Sequence, residues 1–170
     1  IPLIGRSITI GTNKPDEILR AKLIGESFCT DFKEDNMENE YNVLSHINPL
    51  MENELTPLEL VKWKIRNGNI KARLRMINLY NLASTNQGVV LGTENKCEEN
   101  LGFFTIAGDE TSDFEPIKEL WKTEVYELSE WLVQNDLKTD RKKLALQSCI
   151  DAVATDGLGI TNSDLEQILP

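Results

Sequence analysis

The sequence predicts an α/β protein organised as a doubly wound parallel sheet, and three observations carry that expectation. Short β-branched runs alternate with segments of helical apolar spacing, the order expected of helices packed on a parallel sheet. The run "GVVLGT" (residues 88–93) is apolar without a break until its last Gly and Thr, as in a strand buried on both faces. Polar residues then crowd directly behind it, from Thr93 through Glu94 and Asn95 to Glu99. In open α/β sheets ligands bind there, outside the carboxyl ends of the strands.

Taken in order, Leu3, Ile4, Ile8 and Ile10 with Thr9 predict a short opening strand, ended by "GTNKP". A helix follows. Pro15 suits its first position, Asp16 and Glu17 its positive end, and Ile18, Ala21, Gly25 and Phe28 lie near one face. Residues 30–35 read as a second short strand, and residues 36–55 lack a clean period and read as irregular structure or a short helix. Thr56, Pro57 and Glu59 occupy the N-cap, N1 and N3 positions of a capping box, so a helix should run from Pro57 to about Arg66. Asn67 and Gly68 then read as an interruption, with a second helix from Ile70 through Leu74 and Ile77 to about Leu82. Its start, "GNIKARLRM", concentrates Lys71, Arg73 and Arg75 in an acidic chain. Lys71 and Arg75 read as solvated or paired with acidic residues such as Glu59. Residues 116–133 again show helical spacing, with Lys122 near the start of a helix. Asp109 and Asp113 stand around the intervening "FFTIAGDETSDFEPI". Ser163 and Glu166 have capping-box spacing ahead of Ile168 and Leu169.

Composition bounds the function. At 170 residues the chain fits one domain. Eighteen Lys and Arg against twenty-eight Asp and Glu leave a net charge of −10, which disfavours a nucleic-acid surface and leaves room for small phosphorylated ligands at a local cationic pocket. Cys29, Cys97 and Cys149 are odd in number and widely spaced, a pattern of reduced thiols. With no apolar run of membrane-spanning length and no signal-peptide pattern, the expectation is a cytoplasmic protein with no membrane and no nucleic-acid partner.

The segment "VVLGTENKCEENLGFFTIAGDETSDFEPIKELWKTEVYEL", preceded by "IRNGNIKARLRMINLYNLA" and followed by "ATDGLGITNSD", resembles the ammonia-dependent NAD synthetases. Several motifs in the right order are far more specific than one alone. The resemblance implies the adenine-nucleotide α-hydrolase (ATP-pyrophosphatase) type of parallel sheet. It also implies a two-step ligation, in which deamido-NAD is adenylated by ATP and ammonia then displaces AMP to give NAD. By the same resemblance Thr93, Lys122 and Thr155 fall at ATP-binding positions, Glu98 at a Mg²⁺ ligand position, and Arg73 and Asp113 at positions that bind deamido-NAD. A homodimer is implied, with the helix carrying Arg73 at the subunit interface.

The pattern also has departures. Ile106 stands where some members place a lysine on deamido-NAD, Glu110, Thr111 and Ser112 replace a Gly- and Ala-rich stretch, and Ala154 stands where proline is usual. The family's "SGG-x-D-S" phosphate loop does not occur in the 170 residues. Residues 1–170 thus read as a single NAD-synthetase-like domain incomplete at both ends and expected to be inactive alone. Two other readings fit the sequence: a GMP-synthetase-like amidating ligase of the same superfamily, or a truncated, non-catalytic paralogue that dimerises.

Overall fold

The computed structural model describes residues 1–11, 13–46, 55–155 and 163–168. It opens on a β-α-β unit. β1 (Ile4–Thr9) and β2 (Asp31–Asn36) pair in parallel, from Ile4 opposite Asp31 to Thr9 opposite Asn36, with α1 (Pro15–Phe28) crossing between them. α1 begins where the sequence places it, with Pro15 in the first turn and the Lys14 amide donating to Glu17 Oε2 at 3.1 Å. Among the described residues the sheet contains these two strands. The unit closes around Phe32: a Cβ on the buried Gly25 of α1 would lie 2.0 Å from Cδ2 of its ring. Glycine is there for the close approach of helix to strand.

α2 (Glu38–Ser45) is the short helix expected between residues 36 and 55; residues 47–54 lie outside those described. α3 (Pro57–Asn86) starts on the expected capping box, the Glu59 amide donating to Thr56 Oγ1 and the Thr56 amide to Glu59 Oε2. It then departs from the sequence reading by running through Asn67 and Gly68 as one helix of 30 residues. Glycine inside a helix costs roughly 1 kcal/mol against alanine. The middle of α3 is its buried part, however, holding Asn67, Gly68, Lys71, Ala72 and Leu74, and packing there outweighs the propensity.

The three cations of "GNIKARLRM" diverge around this helix. Lys71 is 3% exposed, its ammonium 5.1 Å from the centre of the Tyr41 ring, and Arg75 donates to Ile8 O and Asn13 Oδ1, both at 3.2 Å. Lys71 is buried and Arg75 half-buried, so neither is the freely solvated cation that was one of the two sequence readings; both tie α3 to the rest of the molecule. Arg73 faces the loop that carries Ile106. That face of α3 is a stripe of side chains at helical spacing: Asn69 accepts from Thr105 Oγ1 at 2.8 Å, Arg73 donates twice to Ile106 O at 3.1 Å, and Tyr80 donates to Asp113 Oδ1 at 3.4 Å.

"GVVLGT" is not the doubly buried strand expected. Val90 and Gly92 are buried, but Val89 is 67% and Leu91 46% exposed, and the segment makes a single parallel bridge, Leu91 to Phe114. Its hydrogen bonds go to residues 113–114 instead of to β1: Asp113 and Phe114 amides donate to Val90 O, and the Val90 amide donates to Asp113 Oδ2 at 2.8 Å. α4 (Lys96–Leu101) follows, capped by Asn95. Residues 116–120 form a turn where the sequence suggested helix, and α5 (Lys122–Trp131) begins at Lys122 and runs into one π turn, Leu132–Asp136. α6 (Asp140–Ile150) packs on α1, joined by the Arg141–Glu26 ion pair and by Lys142 over Phe28. The short α7 (Asp164–Ile168) starts with the expected cap, the Glu166 amide donating to Ser163 Oγ; Leu169 lies outside the described residues. No helix among the described residues is long and apolar enough to cross a membrane.

Candidate functional site

Four residues singled out in the sequence, Thr93, Glu98, Lys122 and Thr155, line one polar cavity of about 380 Å³. Each arrives on a different element. Thr93 ends the extended segment 88–93, Glu98 sits in the first turn of α4, Lys122 opens α5, and Thr155 follows α6. Asn95 fixes the α4 end: its Oδ1 accepts from the Cys97 amide at 2.9 Å and the Glu98 amide at 3.3 Å, and its own amide donates to Glu98 Oε2 at 2.9 Å. Glu98 Oε1 is left toward Lys122 Nζ, 3.4 Å away. The α5 end is fixed by the Trp121 amide donating to Glu124 Oε2 and the Lys122 amide donating to Cys97 Sγ.

A second cavity, of about 500 Å³, shares Lys122, Ala154 and Thr155 and extends toward β1 and α1 through Arg6, Asn13, Arg20 and Arg75. Lys122 and Thr155 thus stand between an acidic compartment and a cationic one. Arg73 and Asp113 are not in either. Arg73 lines an apolar groove of about 380 Å³ between α2 and α3, with Leu44, Arg66, Ile70 and Ile77, while Asp113 is held by Tyr80 and the Val90 amide. Burial and the Asp113 carboxylate push the Tyr80 phenol up.

Three further carboxylates enter the first cavity, Glu94, Asp109 and Asp164, to which sequence reasoning assigns no role. The available signal was position: Glu94 follows the Gly-Thr that ends the apolar run. Glu94 is 9% exposed, and its carboxyl is pushed up to about 7, first by burial and then by Asp109, Glu98, Glu115 and Glu110. A carboxyl raised in the folded state keeps a proton that the unfolded chain has released, so its contribution to stability is full below the ordinary value of 4.5 and is lost as pH rises through about 7. Glu94→Gln is therefore expected to remove that decline and to be the more stable form at pH 8, by on the order of 1 kcal/mol, or roughly 2–4 °C for a chain of this size. Thermal melts of both proteins at pH 5 and pH 8 check it; a wild-type decline identical to the variant's would assign the pH dependence elsewhere.

Among the described residues no three His, Cys, Asp or Glu side chains converge to hold a metal by themselves. The cavity nevertheless sets four carboxylates, Glu94, Glu98, Asp109 and Asp164, against one lysine. That excess of negative charge suits a hard ion held by one or two carboxylates and completed by ligand phosphates, the mode typical of Mg²⁺.

These features define the class: an α/β protein with paired acidic and cationic ligand cavities at the end of an extended segment. The family model described as NAD synthase matches residues 9–169, and the chain belongs to that family. It is 32% identical over 176 residues to the NH(3)-dependent NAD(+) synthetase of Methanococcoides burtonii, covering 99% of this chain and 63% of the relative. The match to the protein of the same description from Thermoplasma acidophilum is 41% over 104 residues, covering 60% of this chain and 42% of the relative. A solved structure described as NMN synthetase from Francisella tularensis superposes with a TM-score of 0.78 at 24% identity, over 98% of this chain and 61% of that one. The α/β fold expected from the sequence is the fold of these proteins, and the chain spans less than two thirds of the length of each.

Proposed function

We propose that the chain serves NAD biosynthesis as part of an ammonia-dependent NAD synthetase, a ligase that forms a C–N bond in deamido-NAD at the expense of ATP. The observation that carries the reading is the meeting of Thr93, Glu98, Lys122 and Thr155, distant in sequence, on one cavity. The triphosphate lies along Lys122, whose ammonium neutralises charge on the phosphate oxygens, with the Thr93 and Thr155 hydroxyls donating to them. The cationic compartment beyond Lys122 takes the nucleoside. Glu98 would hold Mg²⁺, which when bound would supply charge stabilisation to the departing pyrophosphate. The nicotinate carboxylate of deamido-NAD attacks the α-phosphorus and pyrophosphate leaves. Ammonia then attacks the activated carboxyl carbon and AMP leaves. Arg73 and Asp113 orient the dinucleotide, Arg73 exchanging the Ile106 carbonyl for an anionic ligand group.

The test is an assay of the full open reading frame that carries these residues, with ATP, Mg²⁺ and ammonia, following pyrophosphate and amide product. NAD formed from deamido-NAD, with no amidation of xanthosine monophosphate, is the expected result. The reverse preference would assign the chain to a GMP-synthetase-like ligase.

The assembly proposed is a homodimer through α3. Leu58, Val61 and Ile65 repeat along one face of that helix at 65%, 49% and 40% exposure, with Ile77 at 57% further on. An apolar stripe of this kind fits a partner helix face. Light scattering at micromolar concentration should give twice the chain mass, and Val61→Lys with Ile65→Lys should halve it. A monodisperse wild-type monomer would remove the interface.

A further inference from the structure

α5 begins without a capping side chain of its own. Its N-cap is Trp121, whose indole N–H donates and offers no acceptor, whereas α3, α4 and α6 open on Thr56, Asn95 and Thr139, whose side-chain oxygens accept amides of their own first turns. The first amides of a helix have no partner inside it. For α5 an acceptor comes from another helix: the Lys122 amide donates to Cys97 Sγ of α4 at 3.4 Å. Cys97 is half-buried and is itself held, its amide donating to Asn95 Oδ1 at 2.9 Å.

That bond lies in the middle of a series joining the starts of the two helices. The Lys96 amide donates to Leu120 O at 2.9 Å, and the Lys96 ammonium stands 5.1 Å from the centre of the Trp121 ring. Cys97 then takes the Lys122 amide, and Glu98 Oε1 faces Lys122 Nζ at 3.4 Å. Residues 96–98 thus engage residues 120–122, and the backbone of Lys122 is set before its side chain reaches the cavity.

We infer that Cys97 is a positioning residue of the proposed synthetase, fixing the first turn of α5 and so the Lys122 ammonium against Glu98. The role rests on the NAD synthetase reading, in which Lys122 lies along the triphosphate. Cys97 lines neither cavity and acts through Lys122. A lysine stem is flexible, so its charge is only as well placed as its backbone. Without the sulfur the Lys122 N–H loses its acceptor, the first turn frays, and the ammonium samples positions away from the phosphates. Because a thiol accepts only weakly, its removal weakens the fold little and the placement of the charge more.

Two arms test it, both on the full open reading frame. In the first, amide hydrogen exchange is followed by mass spectrometry over residues 120–126. Cys97→Ala is expected to speed exchange there roughly threefold or more, and Cys97→Ser to restore protection, because a hydroxyl accepts the same N–H. Cys97→Val, closer to cysteine in volume and without an acceptor, should behave as Cys97→Ala does. Exchange unchanged in both Cys97→Ala and Cys97→Val, or raised equally in Cys97→Ser, would overturn the role. In the second arm, Cys97→Ala is expected to lower kcat for NAD formation roughly 5–20-fold, a misplaced donor losing less than an absent one. The KM for deamido-NAD should stay within about twofold, and Cys97→Ser should keep most of the wild-type kcat. In the Lys122→Ala background Cys97→Ala should cost nothing further, since the ammonium it places is gone; losses that multiply would mark general packing and overturn the role. NAD formation at the wild-type kcat in Cys97→Ala would overturn the role and leave the synthetase reading standing. A wild type that makes no NAD, with exchange at the start of α5 still governed by Cys97, would remove the synthetase reading and uphold the hold of Cys97 on Lys122.

Discussion

Lys122→Ala in the full open reading frame is expected to lower NAD formation roughly 10²–10³-fold, the usual consequence of removing one preorganised donor from a site where charge develops in the transition state. Lys122 opens α5 and stands in the walls of both cavities, so one ammonium serves the whole span proposed for ATP. Negative charge grows on the leaving pyrophosphate during displacement, and the deficit should therefore appear mainly in kcat. Stability offers an internal control. The Lys122 side chain is 41% exposed, and a pair with Glu98 in that setting contributes no more than about 1 kcal/mol. A variant that melts within a few degrees of wild type yet has lost turnover separates the chemical role from a structural one. Unchanged turnover would sink the placement of the phosphates along Lys122.

The second large effect falls on stability. Gly25→Val should destabilise the protein by about 3 kcal/mol, on the order of 10 °C in Tm, because the added Cβ would stand 2.0 Å from Cδ2 and 2.5 Å from Cγ of Phe32. Contact near the root of a packed ring cannot be relieved by a small rotation of its far end. Alanine at the same position should cost less, since its helix propensity returns about 1 kcal/mol. Chemical denaturation of Gly25→Ala, Phe32→Leu and the double variant checks the mechanism: a less disruptive effect of Gly25→Ala in the Phe32→Leu background is required.

Much of this was legible in the sequence, and the pattern of successes has a physical basis. Helix starts were readable because capping is local: Pro15 and the Thr56–Pro57–Glu59 box specify their turns with residues no more than three apart. Ordered motifs singled out Thr93, Glu98, Lys122 and Thr155, and the structure brings these four to one cavity. Two errors came from treating a local rule as decisive. Asn67 and Gly68 weaken a helix in isolation, but their burial in α3 reverses the outcome, and burial is not written in neighbouring residues. The run at 88–93 looked doubly buried, yet Asp113 and Phe114 take its hydrogen bonds, a pairing across more than twenty positions. Glu94 was hidden for the same reason: a glutamate in a polar stretch gives no sign that folding will bury it near other carboxylates.

The continuity of α3 has a consequence for how such a chain can change length over generations. Its 30 residues span about 45 Å, and Asn69, Arg73 and Tyr80 grip three points of one loop from a single side. Inserting or deleting one residue between Arg73 and Tyr80 would turn everything beyond it by about 100° and swing Tyr80 away from Asp113. No loop lies between those grips to absorb the turn. Genetic drift in length is thus barred from this stretch, while residue identity at its exposed positions stays free to vary; the helix acts as a ruler whose divisions can be repainted but not respaced.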